Sequence, residues 1–162
     1  MSDPQIQQRF DRLLSSYQKI SLFLALPALI SSFSCVVRLF AANYNLSLAH
    51  AYLQGLMPVF TENGPLWCLL ISLGVLGLFI ALALFAAKGK IWCFGIAVGL
   101  HVADTVYGLT LFNALSPVVF SLSLIIHGVF LAAYVLGIIY YVKASKLLKE
   151  HPKDILNGPK AK

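Results

Sequence analysis

Asp104, His127 and His101 are the residues of this sequence best equipped for chemistry. Histidine titrates near neutral pH and a neighbouring carboxylate shifts it, so an Asp-His pair can pass protons. The same groups can instead form a fixed hydrogen-bonded pair, or serve as acid and base on a lipid or quinone. Asp104 and His127 lie inside two long apolar runs, Ile91 to Asn113 and Pro117 to Val142, joined by the turn Ala114-Leu115-Ser116. An ionisable residue near the middle of a membrane helix costs about 2.5–3.5 kcal/mol on insertion scales, so it turns toward protein or water and finds a partner.

Depth makes Asp104 and His127 partners. Asp104 lies nine residues before Asn113, about 14 Å at 1.5 Å per residue. His127 lies ten residues after Pro117, a residue suited to the first helical turn, and so about 15 Å from the same membrane face. Helical spacing adds His101, Tyr107 and Gly108 to the Asp104 stripe, and Ser123, Phe130, Tyr134 and Tyr141 to the His127 stripe. The polar site expected from this pattern comprises Asp104, His127, His101, Tyr107, Ser123 and Tyr134. Arg38 joins it from the first apolar run, because helical side chains lean toward the helix N-terminus and so back toward the membrane interior. The alternative for Arg38 is that it snorkels to the outer headgroups.

Composition places these runs in a membrane. The chain has 162 residues, is 59% hydrophobic and 11% charged, and has a mean hydropathy of +0.83; soluble proteins carry about 25% charged residues. The expected fold is an all-α, integral membrane four-helix bundle in one domain, with spans at about 20–42, 65–87, 91–113 and 117–142. The formal charge of +6 reflects topology: of twelve Lys and Arg, all but Arg38 lie before the first span, in the Lys88-Gly89-Lys90 turn, or after the last span. The positive-inside rule then puts both termini and that turn in the cytoplasm, and no nucleic-acid partner is expected. Lys143, Lys146 and Lys149, following Tyr140 and Tyr141, are expected to meet anionic inner-leaflet lipids.

The other elements read as scaffold. Ile6, Phe10, Leu13, Leu14 and Tyr17 give residues 1–18 an amphipathic helix able to lie on the inner leaflet. Pro27, Ser31, Ser34 and Arg38 share one stripe of the first span and should face other helices. The outer segment Asn43 to Gly64 is apolar enough to form an interfacial or re-entrant helix. Gly74 and Gly77 in the second span, and the G-x-x-x-G of Gly95 and Gly99 in the third, are small faces for close helix packing within the chain or with a second copy. Past His151-Pro152 a short disordered tail is expected.

Several chemistries lack their residues. Cys35, Cys68 and Cys93 sit alone in separate spans with no C-x-x-C, so thiol redox chemistry and thiolate metal sites are not expected. There is no Gly-rich phosphate loop, HExxH or nucleophile elbow. His101, Asp104 and His127 are too small a set to predict a metal, and no cofactor is expected.

The basic turn with its tryptophan (Lys88-Gly89-Lys90-Ile91-Trp92), an Asp late in the third run, a short turn, a His in the fourth and a basic exit resemble small four-span bacterial inner-membrane proteins of unassigned function. The resemblance covers residues 85–150 and implies a bacterial cytoplasmic membrane and no particular activity. The leading expectation is a non-enzymatic structural or accessory protein with a buried Asp-His clamp. The alternatives are a proton-coupled or solute-translocating protein using Asp104 and His127, and a lipid- or quinone-modifying enzyme.

Overall fold

A computed structural model describes residues 4–40, 64–110 and 117–156; the side chains of 38–39, 64–65, 117–120 and 122–123 fall outside this description. The described residues form helices α1 (Pro4–Leu22), α2 (Leu26–Phe40), α3 (Gly64–Ala87), α4 (Ile91–Thr110), α5 (Pro117–Glu150) and α6 (Pro152–Leu156), with one 3₁₀ turn at Phe23–Ala25. Among the described residues four stretches are long and apolar enough to cross a membrane: Pro4–Val37, Leu66–Ala87, Ile91–Thr110 and Leu124–Glu150. The segment expected to lie outside, before Gly64, the turn at 114–116 and residues 157–162 fall outside the described residues, as does the Arg38 side chain.

The first membrane element starts earlier than its apolar run. Instead of a separate surface helix, α1 runs into α2 through the 3₁₀ turn, and α1 packs along α5. The turn has a local cause: Pro27 offers no N–H and its ring crowds the carbonyl of Phe23, four residues earlier, so the helix tightens there. The stripe of Ile6, Phe10, Leu13 and Leu14 is thus covered in part by protein, and Tyr17 is fully buried.

The four long elements close a ring in chain order. The first element packs on α3, α3 on α4, α4 more sparsely on α5, and α5 on α1. The α3–α4 turn is a Schellman cap: Gly89, at φ 86°, donates to Ala86 O at 2.8 Å, and Lys90 N donates to Phe85 O at 3.1 Å. Only glycine takes that left-handed conformation readily, which is why the three-residue turn contains one.

At the basic end of the bundle, Tyr17 donates its hydroxyl to Ala86 O at 2.9 Å. Its ring meets Tyr141 at 5.1 Å and Phe94 at 5.8 Å, and Phe94 meets Tyr134 edge-on at 6.1 Å. Nearer the other end, Ser32 Oγ and Ser72 Oγ bond at 2.9 Å, joining α2 to α3. Pro27, Ser31 and Ser34 are buried as their stripe predicts, and Ser32 beside them makes the link between helices.

Of the two neighbours expected for the small faces, the described part of the chain does not supply one. A Cβ added at Gly74, Gly77, Gly95 or Gly99 would meet nothing within 4 Å, so these four make no close helix contact with the described residues. The close approach is at Gly137 of α5, where a Cβ would lie 2.7 Å from Phe94 Cζ and 2.9 Å from Ile20 Cγ2.

The basic tail is also more ordered than expected. Helix α5 continues eight residues past Val142, reaching 34 residues, or about 51 Å, well beyond a hydrocarbon core of about 30 Å. Pro152, at the favoured first position, then starts α6, whose Ile155 is buried as α6 packs on α1.

Candidate functional site

The buried arc of α4 passes through Cys93, Phe94, Ala97, His101 and Asp104, in steps of one, three and four. On α5 the matching arc is His127, Phe130, Tyr134 and Gly137. Where the arcs meet, Asp104 and His127 are 8% and 9% exposed, and Nε2 of His127 stands 3.2 Å from Oδ2 of Asp104. The tautomer that carries its proton on Nε2 donates it to the carboxylate. The depth count from the two ends of the hairpin therefore finds the pair.

Around the pair the walls are aromatic. His101 is fully buried and stacks on His127 with centroids 5.0 Å apart and planes 17° apart. Phe130 and Tyr134 meet the His101 ring edge-on at 5.8 and 5.5 Å. One turn on, Thr105 Oγ1 donates to the carbonyl of His101 at 2.8 Å. The Tyr134 hydroxyl is buried and has no hydrogen-bond partner among the described residues.

Of the predicted site residues, the structure brings together Asp104, His127, His101 and Tyr134. Tyr107 stands apart: it is 41% exposed and faces outward. The buried arc leaves Asp104 by a step of four, to half-buried Gly108, and Tyr107 lies to one side of that path. The side chains of Ser123 and Arg38 are outside the described residues. Phe130 was legible as part of the α5 stripe, but its role as a wall against His101 was not, because that contact depends on how the two helices rotate.

Chemically the site is a carboxylate and two imidazoles enclosed by rings. The histidine rings lie nearly parallel, so their nitrogens do not converge on one point, and no group of metal ligands forms among the described residues. Cys35, Cys68 and Cys93 are buried thiols that form no disulfide among the described residues.

Fold and site together define an all-helical protein with four membrane-fit stretches among its described residues and an Asp–His pair buried between two of the helices. Comparison with family models, with curated proteins and with solved structures finds no match.

Proposed function

We propose that this is a structural or accessory multi-pass membrane protein, acting through its fold and contacts without turnover of a substrate, in which the Asp104–His127 pair clamps the second hairpin. The observation that carries this reading is the pair's placement. Of the four contacts that close the ring it spans the one with the sparsest close packing among the described residues, and His101, walled by Phe130 and Tyr134, stacks on its histidine. A polar contact between membrane helices stabilises by about 0.6–2 kcal/mol, enough to hold one register of a lightly packed pair. The basic end of the bundle faces the cytoplasm of a bacterial inner membrane in this reading. Support comes from Lys88 and Lys90 sharing that end with α1 and the last turns of α5, and from the excess of Lys and Arg there. The outward Gly95 and Gly99 leave α4 a smooth face for a second copy or a membrane partner.

One observation favours a second reading. His101 stacks on His127, which contacts the carboxylate, so two imidazoles and an acid lie in one cluster, the composition of a proton relay. Proton flux into liposomes carrying a pH-sensitive dye separates the two. The clamp reading expects the same leak with wild type and with Asp104→Asn; flux that Asp104→Asn abolishes would replace it with the relay.

A further inference from the structure

Two stretches 130 positions apart in the chain enclose a groove of about 250 Å³ at the basic end of the bundle. Arg9 and Leu13 of α1 form one wall; Lys143, Lys146, Leu147 and Glu150 of α5 form the other. We propose that this groove binds the phosphate headgroup of an anionic phospholipid.

Charge and shape both favour that occupant. Three cations face one carboxylate, a net of +2. Glu150 is engaged with Lys146 at 3.7 Å, but their side chains are 52% and 73% exposed, and such exposed pairs are weak. Among the described residues neither Arg9 nor Lys143 has an acidic partner. Arg9 supplies a planar fork that suits phosphate oxygens, and the two lysines supply mobile point charges.

Leu13 and Leu147 give the same groove apolar lining, which free phosphate would not use and the glycerol and first methylenes of a lipid would. Lys143 is also the first cation after the apolar run of α5, which ends at Val142, so the groove opens at headgroup level. The site is independent of the Asp104–His127 clamp: none of its lining residues is on α4, and on α5 His127 lies 16 positions before Lys143.

The test is native mass spectrometry of protein released from nanodiscs of phosphatidylcholine doped with phosphatidylglycerol, counting retained phosphatidylglycerol. Wild type is expected to keep one such lipid. The triple change Arg9→Gln, Lys143→Gln, Lys146→Gln should weaken retention about a hundredfold, each cation near a membrane surface being worth about fivefold. Glu150→Gln should strengthen it about fivefold by removing the opposing charge. A control that neutralises Lys88, Lys90 and Lys153 should retain lipid as wild type does. Equal losses in the control and the triple variant would overturn the site in favour of net charge. Unchanged retention in the triple variant would overturn it outright. Displacement of the lipid by millimolar inorganic phosphate would overturn the lipid as occupant and leave a phosphate site.

Discussion

Phe94 Cζ occupies the space a side chain at Gly137 would need: a Cβ there would come within 2.7 Å. Phe94 cannot easily give way, because its ring is held between Tyr17 and Tyr134. Alanine at Gly137 therefore incurs a packing strain of about 1–3 kcal/mol, offset by roughly 1 kcal/mol of better helix propensity. Gly99→Ala meets nothing and keeps only the propensity gain. Thermal denaturation should show Gly137→Ala neutral to destabilised and Gly137→Leu severely destabilised, with Gly99→Ala neutral to stabilised.

Two buried tyrosines should respond oppositely to loss of the hydroxyl. Tyr17 donates to Ala86 O at 2.9 Å, so Tyr17→Phe should lower stability by about 0.5–1.5 kcal/mol. The Tyr134 hydroxyl has no partner among the described residues. Removing an unsatisfied buried group relieves a desolvation cost of about 1–3 kcal/mol, so Tyr134→Phe should be neutral or stabilising. Melting temperatures of both variants in one detergent give the comparison directly.

The Ser32–Ser72 bond should hold α2 against α3 with modest strength. Ser32→Ala or Ser72→Ala should each cost about 0.6 kcal/mol, the average for polar contacts between membrane helices. The double variant should cost little more than either alone. Costs that simply add would mean that the hydroxyls act through other contacts.

Much of this architecture is written in local patterns. The spans follow from apolar length, the α3–α4 turn from a glycine between two lysines, and the Asp104–His127 pair from equal depth on antiparallel neighbours. What was not legible depends on which helix faces which. An apolar stripe such as Ile6-Phe10-Leu13-Leu14 looks the same whether lipid or protein covers it, so the packing of α1 on α5 was missed. G-x-x-x-G marks a small face without naming its neighbour, and here Gly95 and Gly99 face outward. Gly137 carries no motif at all; its need for glycine comes from Phe94 and Ile20 on two other helices. Tyr107 was misplaced because steps of three and of four both fit a helical stripe, and only the packed bundle chooses between them.

The clamp itself is tested by a double-mutant cycle on Asp104 and His127. Folded fraction after heating is measured in one detergent for wild type, Asp104→Leu, His127→Phe and the double variant. Each single change breaks the contact between the two side chains and keeps one of the polar groups, whereas the double change removes both. The expected result is that each single variant is destabilised and the double variant costs less than their sum by at least about 0.6 kcal/mol. Strictly additive costs, or single variants as stable as wild type, would contradict a clamp between α4 and α5.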